Sequence, residues 1–488
     1  MPESSSTVSF LLDGSVRSLD FSKDGLLPST TVLDYLKRLQ NHHGTREACR
    51  EGDCGACTVV IAEEAPDGRL AYKAVNACLL FLPAIHGKQL ITVENLPLRD
   101  GEKLILHPVQ QALLLHNGIQ CGFCTPGVVM SMFALYKSNA PAEESLVREA
   151  LAGNLCRCTG YHAILQACIE AISQRTEDHF DITEAETLKI LREIRNTQLE
   201  DSFRTREQHY MIPRKLNQAL LMLQQYPAAT LVNGASDVAV LQNIKHRIFP
   251  EILDLSHVHE LDFFYEDHAN WFIGAGLRLQ DLKTIAAGRM PVLHGLLLHF
   301  ASLQIRNVAT LAGNVASASP IGDALPLLFV MDARVHLASV SGSRIVPIEA
   351  FILSYRKTDL GPGELITMIS IPKPARPSLL RWYKVSNRKD ADIASVSAAF
   401  SVELKDGVTS DIRIAYGGMA ATPLRAAQTE AFLKGKPWER PVVEDAMQLL
   451  QNEFTPIGDA RSSALARTLA ARNLLLKYWS ETNADVHE

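Results

Sequence analysis

Cys49, Cys54 and Cys57 stand in the order C-x4-C-x2-C, and a fourth cysteine follows at Cys78. That spacing is the plant-type ligand pattern for a [2Fe–2S] cluster. A cluster held by four thiolates is anionic, so the loop must aim backbone N–H groups at the sulfurs as well as supply ligands. Gly52 and Gly55 suit a backbone that turns sharply and approaches closely. A zinc knuckle or a disulfide pair would use the same residue type. Zinc sites favour paired C-x2-C hooks, and the chain reads as intracellular, where disulfides are rare. The stretch is read as an electron-carrying site.

A second quartet lies downstream, as Cys121-Gly122-Phe123-Cys124 and Cys156-Arg157-Cys158. One pair precedes each of two helical patterns. Thr125-Pro126 is expected as N-cap and N1 of the first, and Thr159 as the cap of the second. Two helix N-termini facing one anionic cluster would stabilise it through free N–H groups and dipoles. The arrangement favours a second [2Fe–2S] centre, with zinc the alternative on spacing alone. Eight of the nine cysteines fall between Cys49 and Cys158. The ninth, Cys168, sits on an apolar helical face and reads as a small buried hydrophobe.

The elements that must position these quartets follow from patterning. Residues 8–17 read as strand, Asp13-Gly14 turn, strand. A helix is expected from Thr31 to Leu39, then the cysteine loop, a β-branched strand from Thr58 to Ala62, a turn at Asp67-Gly68 and an extended segment into Cys78. Strands around one helix, with the cluster loop at the edge, describe a β-grasp ferredoxin domain over residues 1–92. Four helical segments, 107–116, 127–136, 143–152 and 163–169, make a small bundle over 93–172. Residues 173–206 are charged and loosely periodic, and read as an exposed linker with room for one helix.

From 207 to 380, strand and helix signals alternate. An extended 228–232 runs into Asn233-Gly234-Ala235-Ser236-Asp237, a small-residue loop of the kind that brings backbone amides close to a phosphate. A second such stretch is 306–314, leading to Ser319-Pro320-Ile321-Gly322-Asp323. Each alone is equally a turn between strands. No G-x-G-x-x-G fingerprint is found. The last part, 381–488, carries strands near 397–404 and 412–416, a Gly417-Gly418 turn and a closing helix from Ala464 to Tyr478.

At 488 residues the chain has room for about three or four domains. Its formal net charge of −6 gives no reason to expect nucleic acid or an anionic membrane as partner. No apolar run reaches the ~18 residues of a membrane span, and the polar N-terminus has no export signal. A cytoplasmic location is expected.

The string from Glu51 to Val59, with Gln120 to Gly127 and Gly153 to Tyr161, resembles the iron–sulfur part of the molybdenum hydroxylases. Leu311-Ala312-Gly313-Asn314, Ser319 to Asp323, Tyr355-Arg356-Lys357-Thr358 and Tyr416 to Ala420 extend the likeness to the FAD part of enzymes of the xanthine dehydrogenase type. The order of parts and the length resemble a small iron–sulfur/FAD subunit of the bacterial kind. The resemblance implies a multidomain α+β fold in which the FAD domain is of the vanillyl-alcohol-oxidase (PCMH) type and the C-terminal α+β domain is CO dehydrogenase flavoprotein-like. It implies cluster ligands Cys49, Cys54, Cys57 and Cys78, and Cys121, Cys124, Cys156 and Cys158. It places Leu231, Val232, Asn233, Gly234, Ala235, Ser236 and Asp237 on the FAD pyrophosphate, although many relatives have an apolar residue where Asn233 stands. Phe300, Thr310, Gly313, Asn314 and Asp323 would line the rest of FAD, with Ile366 and Lys384 near its ring and edge. Tyr355 and residues 386–392 fall on the nicotinamide side, and Gln120 and Cys158 near the partner's pterin. For Lys384 and Arg388 a solvated loop charge is the alternative.

The implied reaction is hydroxylation of hypoxanthine and xanthine to urate at a molybdopterin site on a large partner subunit, in an (αβ)2 heterotetramer. Electrons would leave through two clusters and FAD to NAD+, the flavin converting single electrons into a hydride. No residue of this chain is expected to act as acid or base on the purine. The corresponding part of an aldehyde or N-heterocycle hydroxylase, a self-sufficient iron–sulfur flavoprotein reductase and a zinc-binding interaction protein are the other readings of the same residues.

Overall fold

The computed structural model describes residues 4–5, 7–196, 198–199, 201–373 and 379–487. The chain divides into two compact units: 1–214 with 228–257 and 302–309, and 215–227 with 258–301 and 310–488. That division cuts across the boundary expected at residue 207.

In the first unit, Thr7–Leu12 and Ser15–Asp20 form the expected hairpin. Asp13 and Gly14 both take positive φ, at 50° and 75°, as a two-residue turn matched to strand twist requires. The sheet runs Ser15–Asp20, Thr7–Leu12, Gln89–Ile91, Thr58–Glu64, Leu70–Asn76. Only the Thr7–Leu12 and Gln89–Ile91 pair is parallel. The Val32–Leu36 helix packs across it, capped by Thr31, whose hydroxyl accepts from Asp34 N–H at 3.1 Å. This is the β-grasp arrangement.

The run Val59-Val60-Ile61-Ala62 is apolar without alternation because both faces of that strand are covered. Val59 and Ile61 enter a core with Phe10, Val32 and Leu36. Val60 and Ala62 enter another with Val129, Phe133 and Leu165 of the helical bundle. That bundle comprises Pro108–Leu115, Thr125–Lys137, Glu144–Leu151 and His162–Ser173. Thr125–Lys137 is buried on nearly every side and is its central helix.

Residues 173–206 are not an exposed linker. His179–Ile182 and Glu184–Asn196 are helices, and Leu188, Leu191 and Ile194 are buried in the bundle core. Their spacing is that of an amphipathic helix, overshadowed in the sequence by the charges on its outer face. Glu184 also accepts from Leu70 N–H at 2.8 Å. The unit is completed by a sheet in the order Ser202–Arg204, His209–Met211, Glu251–Asp254, Thr230–Val232, and by the Val238–Lys245 helix. Tyr210, Val232, Ala239 and Ile252 share the β-grasp core.

The second unit holds an antiparallel sheet in the order Phe264–Glu266, Asn270–Gly274, Leu365–Pro372, Arg334–Ser339, Gly342–Pro347. A further sheet runs Arg381–Val385, Val396–Lys405, Val408–Gly417, Leu424–Arg425. Its core, with Phe400, Tyr416 and Trp438, is closed by Arg440–Glu453 and Ala464–His487. Among the described residues, no helix is long and apolar enough to cross a membrane.

Candidate metal and cofactor sites

The first quartet gathers as two thiol pairs, Cys49 with Cys54 and Cys57 with Cys78. The Cys54 thiol and the N–H groups of Glu51 and Cys54 hold Cys49 down, to about 5. The hydrogen bond to Cys49 pushes Cys54 up. The Cys78 thiol likewise lowers Cys57, while Cys78 is raised. Cys57 and Cys78 are buried. The loop needs left-handed backbone at Arg50, Gly52 and Gly55, with φ of 57°, 79° and 68°, and the glycines adopt it without Cβ strain. Asn76 donates to the Gly52 carbonyl at 3.0 Å.

The second quartet gathers in the same way, Cys121 with Cys158 and Cys124 with Cys156. Burial and the Cys156 thiol push Cys124 up to about 12. Burial raises Cys156, but the Thr159 hydroxyl, 3.1 Å from its sulfur, the N–H groups of Thr159 and Cys158 and the Cys124 thiol together outweigh burial and lower it. Cys156 N–H donates to the Tyr161 hydroxyl at 2.8 Å. Two caps differ from expectation. Cys124 is the N-cap of its helix, leaving Thr125 at N1. Tyr161, at φ 70°, is the N-cap of His162–Ser173, and Thr159 turns its hydroxyl to the Cys156 sulfur and the Tyr161 N–H instead. A sulfur already in reach of Thr159 competes for the hydroxyl that capping would use. Cys168 is buried and raised by desolvation to about 12, an inert hydrophobe.

Among the described residues, no three His, Cys, Asp or Glu side chains converge as a single-ion site. Two pairs per quartet suit a two-iron cluster, in which each iron takes two thiolates. A tetrahedral zinc site draws all four to one centre. The donor sets therefore fit [2Fe–2S] clusters.

The flavin candidates fall in both units. In the first, Leu231 and Val232 lie on Thr230–Val232, paired in parallel with Leu253 and Asp254. Gly234 and Ala235 follow at φ 82° and 54°, and Asp237 begins the Val238–Lys245 helix. The 233–237 loop thus joins strand to helix through two successive residues of positive φ. In the second unit, Thr310 caps Leu311–Ser317 by accepting from Gly313 N–H at 3.0 Å. Asn314 Oδ1 and Asp323 Oδ1 are buried without a protein partner, as expected of atoms that meet a bound polar group. Ile366 is buried on Leu365–Pro372.

Lys384 is not a solvated loop charge. It lies on Arg381–Val385 with its side chain 5% exposed, bonded to Asp323 Oδ2 at 2.6 Å and to the His299 carbonyl at 3.1 Å. Burial raises the Asp323 carboxyl, against the pull of Lys384. Tyr355 is exposed, and Arg388 bonds within its own loop to Ala391 and Asp392. Gln120 and Cys158 are exposed.

Asn154 is a further residue of the site, which neither residue type nor ligand spacing singles out. Its Nδ2 donates to the Gly55 carbonyl at 3.1 Å, and its Oδ1 accepts from Ser131 and Gln304 at 2.6 and 3.1 Å. Its position beside Cys156, within the string quoted above, was the available signal.

Four family models match in succession: 2Fe-2S iron-sulfur cluster binding domain over 25–82, [2Fe-2S] binding domain over 92–169, FAD binding domain in molybdopterin dehydrogenase over 202–374, and CO dehydrogenase flavoprotein C-terminal domain over 381–482. Xanthine dehydrogenase of Oryza sativa is 32% identical over 88% of this chain and 36% of its own length. That of Emericella nidulans is 33% identical over 92% and 36%. Aldehyde oxidase 2 of Macaca fascicularis is 30% identical over 93% and 38%. The chain thus spans a little over a third of these relatives. Among solved structures, a chain of the Cu,Mo-CO dehydrogenase matches at TM-score 0.52 and 26% identity, covering 55% of this chain and 94% of that one. Quinoline 2-oxidoreductase of Pseudomonas putida matches at 0.52 and 25%, covering 56% and 96%.

Two [2Fe–2S] domains and an FAD-binding domain in one chain define an electron-transferring iron–sulfur flavoprotein. The chain belongs to the molybdenum hydroxylase family, of which it carries the iron–sulfur and FAD portion.

Proposed function

We propose that this chain is the electron-transfer subunit of a cytoplasmic xanthine dehydrogenase. It takes electrons from a molybdopterin-binding partner that converts hypoxanthine and xanthine to urate, and delivers them to NAD+, in an (αβ)2 assembly. The observation that carries this reading is the likeness to xanthine dehydrogenases along about nine-tenths of the chain. The clusters supply one-electron relay and FAD supplies hydride formation.

Cys121, Cys124, Cys156 and Cys158 hold the cluster nearer the partner, where exposed Gln120 and Cys158 face its pterin. Cys49, Cys54, Cys57 and Cys78 hold the next. Residues 231–237 offer N–H groups to the FAD pyrophosphate. Phe300, Thr310, Gly313, Asn314 and Asp323 line the cofactor, and Ile366 and Lys384 approach its ring and edge. Tyr355 and residues 386–392 serve the nicotinamide side. The parts divide near residues 92, 206 and 380, with the 173–206 helices belonging to the bundle.

A second reading, the same role in an aldehyde or N-heterocycle hydroxylase, is favoured by the aldehyde oxidase and quinoline oxidoreductase matches. Purification from the native cell, followed by NADH formation with xanthine, separates the two. A co-purifying molybdenum chain that turns over xanthine with NAD+ supports the first. Turnover of an aldehyde or quinoline but not xanthine supports the second. Absence of any molybdenum-containing partner would sink both. Cys54→Ser should remove one cluster signal and leave FAD bound.

A further inference from the structure

One side chain ties the ferredoxin-type quartet to the helix that follows the 231–237 loop. Asn243, 9% exposed, lies near the end of Val238–Lys245. Its Nδ2 donates to the Arg50 carbonyl at 2.9 Å and to the Cys78 carbonyl at 2.8 Å. Those carbonyls belong to the two arms that bring the first quartet together. Arg50 follows Cys49 on one arm, and Cys78 is itself the ligand on the other, distant in sequence.

Arg50 is held in left-handed backbone at φ 57°, a conformation strained for a residue with Cβ. Its guanidinium is paired with Asp34 at 2.6 Å and Glu47 at 3.1 Å. Asn243 secures the carbonyl of that same residue. The helix that carries Asn243 is itself fixed, because Val232, Ala235 and Ala239 are buried in the β-grasp core and Val238, Val240 and Leu241 pack against it. Val238 and Asn243 are separated by about 8 Å along the helix axis. The helix is therefore a short rigid strut, with the loop at one end and both arms of the quartet at the other.

We propose that Asn243 is a positioning residue that clamps the two arms of the ferredoxin-type cluster and holds that cluster at a fixed distance from the flavin. The inference rests on the function proposed above, because it takes 231–237 as the flavin loop and the first quartet as the cluster. Its chemistry is specific to an amide. Two carbonyls face one group, and only a donor with two N–H bonds satisfies both. An isosteric carboxylate fills the same space and has nothing to donate.

The test uses the full chain purified with its cofactors, in unaltered form and as Asn243→Asp, Asn243→Ala and Asn243→Ser. Iron, labile sulfide and FAD are counted first. An unaltered chain without FAD, or without two cluster signals, overturns the parent reading and this inference with it. Otherwise the flavin is photoreduced rapidly and the arrival of electrons at the ferredoxin-type cluster is timed, with the EPR line shape of that cluster read separately.

Asn243→Asp and Asn243→Ala are expected to keep iron and FAD, broaden that one signal, and slow transfer by about tenfold or more, with Asp at least as impaired as Ala. Asn243→Asp indistinguishable from the unaltered chain while Asn243→Ala is slow would mean that the side chain only fills space, and overturns the proposal. Unchanged rates in both overturn it as well. Should the Asp variant not be recovered folded, Ser against Ala decides. A serine hydroxyl can donate to one carbonyl, so faster transfer in Ser supports the clamp and equal rates refute it.

Discussion

The backbone N–H of Leu155 donates to the carbonyl of Cys54 at 2.9 Å. A ligand of the first quartet is thereby bonded to the residue that precedes Cys156, a ligand of the second. The surrounding space is closed by glycines. A Cβ at Gly55 would overlap the Gly153 carbonyl, and one at Gly127 would overlap the Gly55 carbonyl. Asn154, 2% exposed, fills the remaining gap and bonds both sides of it.

Gly55→Ala should therefore be among the most damaging single-methyl changes in the chain. It places a Cβ in left-handed backbone, costing about 1–2 kcal/mol, and overpacks a junction with no room, costing about 1–3 kcal/mol more. Gly68→Ala, at a similar φ but with open space around it, should lose only the first part. Urea denaturation of the two variants measures the difference. In the loaded protein, Gly55→Ala should also weaken the magnetic interaction between the clusters, and Gly68→Ala should not. Equal losses of stability would mean that the close approach at Gly55 carries no energetic weight.

Both quartets were legible in the sequence because ligand spacing is a local property, and so were the hairpin and the bundle helices. Val59 to Ala62 announced a strand, but not that its two faces serve different cores. What escaped was long-range. Asn243 lies far in sequence from the carbonyls of Arg50 and Cys78 that it holds, and its neighbours Gln242 and Ile244 carry no motif. For Lys384 a solvated loop charge stood as the alternative to a place at the flavin edge, because Ser386 to Asp392 after it is polar. Its burial depends on Asp323, 61 positions away. Thr159 was misassigned for a local reason: capping preference ranks a threonine by its neighbours in the helix and takes no account of a sulfur 3.1 Å from its hydroxyl.

The Lys384–Asp323 pair gives a prediction with a sign. Both side chains are less than a tenth exposed. Removing the cation in Lys384→Met leaves a buried carboxylate unpaired, which costs about 3–5 kcal/mol at pH 7. Burial already raises the Asp323 carboxyl above its ordinary 3.8, and loss of Lys384 raises it further. A folded-state pKa above the unfolded one makes the acid bind a proton more readily when folded, so the stability deficit grows as pH rises above about 4 and shrinks towards acid. Lys384→Met with Asp323→Asn should recover most of the loss at neutral pH. Thermal melts of the single and double variants between pH 5 and 8 test this, and a deficit that does not change with pH would place its origin in lost packing by the lysine stem.

A third pair of contacts has the opposite sign. Asp178 accepts from His107 Nε2 and Lys137 Nζ, both at 2.9 Å, with all three side chains at most 4% exposed. Burial alone would raise this carboxyl, but the hydrogen bonds from His107 and Lys137 and the lysine charge outweigh it and hold the group well below 3.8. A depressed folded-state pKa stabilises the fold above the unfolded pKa, and that stabilisation is lost as pH falls through the folded value. Asp178 also caps His179–Ile182 by accepting from Phe180 and Asp181 N–H, so its charge ties the 173–206 helices to Lys137 of the central bundle helix. Asp178→Asn keeps the shape, loses the charge and leaves Lys137 buried beside Asp181 alone. It should cost about 3 kcal/mol at pH 7, and the gap from the unaltered chain should narrow only below about pH 4. Far-ultraviolet circular dichroism melts of both cofactor-free proteins measure that gap without interference from acid-labile clusters. A gap that does not narrow below about pH 4 would assign the loss to the shape of the junction and not to the carboxylate charge.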